Sequence, residues 1–176
     1  MKRTFLTIAI LFFIAATGKL YSQDPATAYD LSEIQKVVNK LYENLTFKKN
    51  QAPTLAKLTD IFYDRGMLIN NTTGEPKKYT LQEFSSVITK QVNTGKVLAF
   101  REKELSSEIE LFGNMAHCLS TYESGYILAG RDEYINKRGI NSIQLIKVAG
   151  KWKIVSIIWN EESDEQKIPE KYLKEE

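Results

Sequence analysis

The sequence predicts an α+β domain: three N-terminal helices packed on one strongly curved antiparallel sheet. Apolar residues recur at steps of three and four as far as Ile88, which is helical spacing. After Gly95 they alternate, which is strand spacing. The two periods are segregated along the chain, so the helices gather on one side of a strand meander.

The elements follow in order. Met1-Lys2-Arg3 is a short basic head, Phe5 to Ala16 an unbroken run that is almost wholly apolar, and Thr17 to Gln23 a more polar stretch with small residues. This is the pattern of a secretory signal peptide, expected to be cleaved after Ser22 with Leu20 and Ser22 at the recognition positions. Gly18-Lys19 ends the run short of the ~20 apolar residues a membrane span needs. The mature chain is therefore expected in the periplasm or outside the cell. Residues 23–30 form a short lead, 31–173 a single domain and 174–176 a tail.

From Asp30 to Phe47, Leu31, Ile34, Val37, Val38, Leu41, Tyr42 and Leu45 share one helical face, and Asp30 with Glu33 resembles a capping box. A second helix is expected after Pro53, carried by Leu55, Leu58, Ile61 and Phe62 and ended by Gly66. Met67 to Asn70 is a short apolar strand before the turn Asn70-Asn71-Thr72-Thr73-Gly74. Thr80 and Glu83 form a second capping box, opening a third helix through Leu81, Phe84, Val87 and Ile88. Val97–Phe112, Met115–Leu128, Ile140–Ala149 and Lys151–Asn160 then read as four strands, the last two joined by a tight turn at Ala149-Gly150.

Composition narrows the function. The 176 residues are 43% apolar and 26% charged, as in a soluble globular domain rather than a disordered chain. The formal charge is +2, but Lys2, Arg3 and Lys19 lie in the first 22 residues, which hold no acid. Without them the charge is −1, which offers no general field for nucleic acid or an anionic membrane. One Cys, Cys118, and one His, His117, exclude a disulfide framework and a Cys/His zinc cage. No cofactor or metal is expected.

The order helix, helix, short strand, helix, long strands resembles the nuclear transport factor 2-like superfamily, which includes ketosteroid-isomerase-like and SnoaL-like proteins. A more specific resemblance lies in Phe112 to Ser124, Arg138 to Leu145, the hairpin Gly150 to Trp159 and the tail Ile168 to Leu173. These segments are similar to a bacterial family of such domains, often with signal peptides and without an established activity. The resemblance implies a cone-shaped roll with a pocket between sheet and helices, and a homodimer formed through the exposed sheet face. It also places the carboxylate base of the isomerase-like members at about Asn71, whose amide cannot abstract a proton.

Alternation supplies the candidate residues. On Met115 to Ser124, Ala116, Cys118, Ser120 and Tyr122 share one face, and Met115, His117, Leu119, Thr121 and Glu123 the other. His117 would serve as a general base oriented by Glu123 or Glu104, or else simply sit half-buried at a dimer sheet. Tyr122 and Trp159 would line a pocket or fill the core. Phe100, Glu102 and Glu104 share a face; a Glu buried there would be an acid with a raised pKa, and a solvated one would pair across the strands. At most one of Asn141 and Gln144 faces the pocket, and Gln144 is taken with Tyr63, Asn71, Phe100, Glu104, Tyr122 and Trp159 as the pocket set. Three functions remain open: an exported domain binding a small apolar or amphipathic molecule, an acid/base enzyme (isomerase, dehydratase or hydrolase), and an interaction module acting through its sheet.

Overall fold

The computed structural model describes residues 25–49, 51 and 55–173. The signal-peptide reading, the tail and Pro53 lie outside the described residues. The elements run α1 (Pro25–Leu45), α2 (Leu55–Thr59), β1 (Phe62–Asn70), β2 (Lys77–Tyr79), α3 (Leu81–Asn93), β3 (Val97–Phe112), β4 (Met115–Leu128), β5 (Ile135–Val148) and β6 (Lys151–Glu161), with a final 3₁₀ turn at Glu170–Tyr172. The six strands form one curved, unclosed sheet in the order β2-β1-β6-β5-β4-β3. The pairing is antiparallel except between β1 and β6, which run parallel.

Helix α1 is held to the sheet by the apolar stripe read from its spacing, with Ile34, Val38, Leu41 and Tyr42 buried against Cys118, Ile143, Leu145 and Ile154. It begins at Pro25, so Asp30 lies within the helix and caps nothing. The Asp30 carboxylate instead accepts hydrogen bonds from Lys147 Nζ at 2.7 Å and Trp152 Nε1 at 3.0 Å, tying the helix to the β5–β6 hairpin. These bonds, the Lys147 one foremost, draw its pKa below the usual carboxylate value. The capping box of α3 forms as its sequence implies: Thr80 Oγ1 accepts from the Glu83 amide and the Glu83 carboxylate accepts from the Thr80 amide.

The second helix departs from the sequence reading. It stops at Thr59, and Phe62 already belongs to β1. Gly66 does not end a helix; it sits inside a wide bulge of β1, where Asp64 and Gly66 both take left-handed backbone angles. Strands β3 and β4 span the expected residues, β5 begins five residues early at Ile135, and the short edge strand β2 carries no periodic signal. Ala149 and Gly150, with φ of 49° and 76°, form the two-residue turn between Val148 and Lys151.

Three further bulges decide which side chains face the helices, the first at Leu98 between the pairs Val97–Leu128 and Ala99–Ile127 on β3–β4. Leu105 is the extra residue between the pairs Glu104–Tyr122 and Ser106–Thr121 on β3–β4. Val155 is the extra residue on β6, between the pairs Ile154–Leu145 and Ser156–Gln144. Beyond Val155 the inward set changes from Trp152 and Ile154 to Ile157, Trp159 and Glu161, while Ser156 and Ile158 turn outward. Simple alternation would have kept Ser156 and Ile158 on the face of Trp152.

Candidate functional site

A cavity of about 420 Å³ lies between α1, α3 and the inner face of the sheet. Its walls are mostly apolar: Leu41 and Leu45 from α1, Phe84, Val87 and Ile88 from α3, and Leu68, Phe100, Tyr126, Leu128 and Ile157 from the strands. The aromatic wall is interlocked. Phe84 meets Trp159 edge-on at 6.1 Å and Tyr79 at 6.3 Å, and Phe47 stacks on Phe100 at 6.2 Å. Phe47 and Phe100 also exchange backbone hydrogen bonds, which pins the segment after α1 across the cavity mouth of β3.

Cross-strand rungs set a polar patch into this apolar wall. One rung runs Ser107, Ser120, Asn141, Trp159 and Asn70 across β3, β4, β5, β6 and β1. The next runs Glu104, Tyr122, Gly139 and Glu161. Gly139 is needed there, because a Cβ would stand 2.4 Å from the Tyr122 hydroxyl oxygen and from the Asn160 carbonyl. The missing side chain lets the Tyr122 ring lie over the strand and present its hydroxyl between Glu102 and Glu161.

Glu102 is the side chain most altered by this setting. Its backbone amide donates to Thr46 Oγ1 at 3.1 Å, so the carboxyl is fixed in the wall. Burial pushes its pKa up to about 8; Asn141 opposes by donating to it, and the charge of Glu161 adds to the rise. Tyr122, buried beside both carboxylates, is held well above its ordinary value. A directional hydrogen-bond chain leads away from the cavity: Asn141 Nδ2 donates to Tyr42 Oη at 3.1 Å, and Tyr42 lies 2.7 Å from Ser120 Oγ. Ser120 donates to Glu104 at 2.6 Å, and Glu104 also accepts from Gln35 of α1. A carboxyl that stays largely protonated at neutral pH, beside a phenol and an amide in an apolar cavity, can bind a polar head group or exchange a proton with it.

The structure divides the sequence-derived candidates. Phe100, Tyr122 and Trp159 line the cavity. Glu104 shares their face but is covered by Gln35 and Ser120, so it supports the site from behind. Tyr63 stands 46% exposed in the β1 bulge, and its neighbour Phe62 is the buried one. Asn71 lies one residue past the strand with its amide bonded to the Trp159 carbonyl, and Asn70 takes the place in the wall. Gln144 lies on the outer face accepting from Ser156, and Asn141, three residues earlier, faces inward.

His117 and Glu123 also lie on the outer face, where His117 Nε2 is 3.0 Å from Ser142 Oγ and Glu123 is 3.5 Å from Lys103. The structure brings neither to Tyr122. Cys118 is buried in the core, its thiol pushed up to about 12 by burial, and is not placed to act as a nucleophile. Glu102, Asn141, Glu161 and Asn70 were absent from the pocket set. Parity with Phe100 marks Glu102, and phase with Ile143 and Leu145 marks Asn141; nothing in the sequence marks Glu161, whose direction depends on the Val155 bulge. Among the described residues, no group of three or more His, Cys, Asp or Glu is arranged to hold a metal, and no helix is long and apolar enough to cross a membrane.

No protein-family profile matches the chain, and no curated protein does. Solved structures do. A protein of Kribbella flavida superposes with a TM-score of 0.65 at 11% identity, over 78% of this chain and 93% of that one. A nuclear transport factor 2-like superfamily protein of Salmonella enterica gives 0.63 at 13% identity, over 78% and 94%. A hexachlorocyclohexane dehydrochlorinase of Novosphingobium barchaimii gives 0.63 at 12%, over 78% and 89%. At these identities the likeness is one of fold.

Proposed function

Starting from the nuclear transport factor 2-like fold that this chain adopts, we propose that it binds a small amphipathic molecule in the cone. The observation that carries this reading is the 420 Å³ cavity itself, apolar on most sides with one polar patch of Glu102, Asn141, Tyr122 and Glu161. Its volume falls in the ~300–1,000 Å³ range of small-molecule sites. A cone filled by side chains would have favoured a purely protein-binding role.

An acid/base enzyme is the second reading, and Glu102 rather than His117 favours it, since Glu102 is the titratable group inside the cavity poised near neutral pH. The fold is shared with a dehydrochlorinase, so it accommodates such chemistry without implying it. The reading also includes export, supported by the basic head and apolar run of residues 1–16, and a homodimer through the outer sheet face.

Native mass spectrometry of the protein taken from its own source tests these points together. The expected spectrum shows a chain starting near Gln23, a dimer mass, and an excess mass lost on denaturation that is a retained small molecule. Protein without retained mass, which also binds no member of a broad amphiphile panel, would overturn the ligand-binding reading.

A further inference from the structure

The charges that face the cavity are all of one sign. Glu102 and Glu161 line it, and none of the described residues in its wall is Lys, Arg or His. The remaining polar groups do not redress this charge: Asn141 donates to both Glu102 and Tyr42 but carries no charge, and Asn70, Gln91 and Ser124 are neutral. The one ion pair of Glu161 is to Lys137, 3.9 Å away and partly exposed, a contact too long and too wet to contribute much. Around the two carboxylates stand aromatic faces, Phe84, Phe100, Tyr126 and Trp159. Carboxylates without a matching cation in the wall, ringed by π-systems, suit a cation that brings its own N–H groups and a hydrocarbon body.

We propose that the ligand is an organic ammonium ion, a protonated amine on an apolar body, with its nitrogen against Glu102 and Glu161 and its body against the aromatic wall. This rests on the ligand-binding reading and specifies its chemistry. An anionic ligand would meet the Glu161 carboxylate, and Glu102 once it ionises, with no cation in the wall to compensate, and is rejected. A neutral alcohol fits the walls and can donate one hydrogen bond, but it brings no positive charge to the carboxylates.

A protonated amine also changes the titration of the site. The groups facing Glu102 are Tyr42 from α1, Glu104 along β3, Tyr122 from β4, Asn141 from β5 and Glu161 from β6; α3 presents only Phe84, Val87, Ile88 and Gln91 to the cavity. The cation on the same cross-strand rung, Lys137, is partly exposed and turned to Glu161 at 3.9 Å, so Glu102 keeps its proton in the empty site up to about pH 8. An ammonium ion binds best to the ionised form and expels that proton, so its affinity rises with pH up to that point and then levels.

Calorimetric titration with phenylbutylamine, phenylbutanol and phenylbutyrate, one skeleton with three head groups, tests the proposal on the purified protein. At neutral pH the amine is expected to bind about tenfold tighter than the alcohol, and the carboxylate not measurably. From about pH 6 to about pH 8 the amine affinity climbs while that of the alcohol stays level. The double variant Glu102→Gln/Glu161→Gln should bring amine and alcohol within about threefold of each other, with a near-ultraviolet circular dichroism spectrum like the parent's to show that the cavity is intact. An alcohol that binds as tightly as the amine, or an amine preference that survives the double variant, overturns the cation inference and leaves ligand binding standing. Binding of none of the three overturns the cation inference and counts against the broader reading as well.

Discussion

Folding carries the Glu102 carboxyl from water, where it ionises near pH 4.5, into a wall beside Glu161, where its pKa is about 8. The native state therefore holds a proton that the unfolded chain has released, and stability must fall as pH rises between those two values. The penalty is absent below about pH 4.5 and complete above about pH 8. Because the cavity admits water to the group, the whole effect is ~2 kcal/mol rather than the larger figure the full shift would imply. Glu102→Gln keeps the shape and removes the charge. Denaturant unfolding should show the variant more stable than the parent by ~1–2 kcal/mol at about pH 9, and equal to it within ~0.5 kcal/mol at about pH 5. Parallel curves at both pH values would mean that Glu102 ionises as it does in water.

Among the elements, β5 matters most to the site through the residue it lacks. A Cβ at Gly139 would press 2.4 Å from the Asn160 carbonyl, which is backbone and cannot swing aside, and as close to the Tyr122 hydroxyl. Gly139→Ala should therefore cost ~2–3 kcal/mol on denaturant unfolding and turn Tyr122 from its place, which near-ultraviolet circular dichroism would register. A substitution within ~0.5 kcal/mol of the parent would show that the strand yields there. The same strands show what a one-dimensional pattern can convey. The extents of β3 and β4, the capping box at Thr80 and the turn at Ala149-Gly150 depend on local spacing and local hydrogen bonds, and all were legible. The face occupied by Tyr122 was legible for the same reason, since β4 pairs with β5 without interruption. Trp159 was in the pocket set, but Glu161 was another matter. An extra residue at Val155 reverses the parity of β6, and a bulge is a property of two strands in register, invisible in either one alone. Gly66 misled in a similar way, because a left-handed glycine serves a helix end and a strand bulge equally well.

At the scale of the whole molecule, the helices take the inner face of the sheet and leave the outer one to other partners. Part of it is covered by the chain itself: Arg138 forms an ion pair with Glu162 at 2.8 Å, and Ser106 donates to the Tyr172 carbonyl, so the C-terminal segment crosses toward β3. The uncovered part carries Leu119, Ile146 and Ile158 among His117, Ser142 and Gln144, with Ile158 38% exposed. A monomer gains nothing by placing these apolar side chains toward water, whereas two copies face to face would bury them over something near the ~800 Å² per partner of a stable interface. Sedimentation velocity at tens of micromolar should then give a dimer. Ile158→Lys should give a monomer with an unchanged far-ultraviolet spectrum, because a lysine there can reach solvent in a single chain but would bury its charge in a pair. Parent protein sedimenting as a monomer would remove the dimer, and with it the reason for an apolar strip on the side of the sheet away from the cavity. The cavity does not depend on that dimer, since α1, α3 and the inner face of the sheet already form its walls within a single chain.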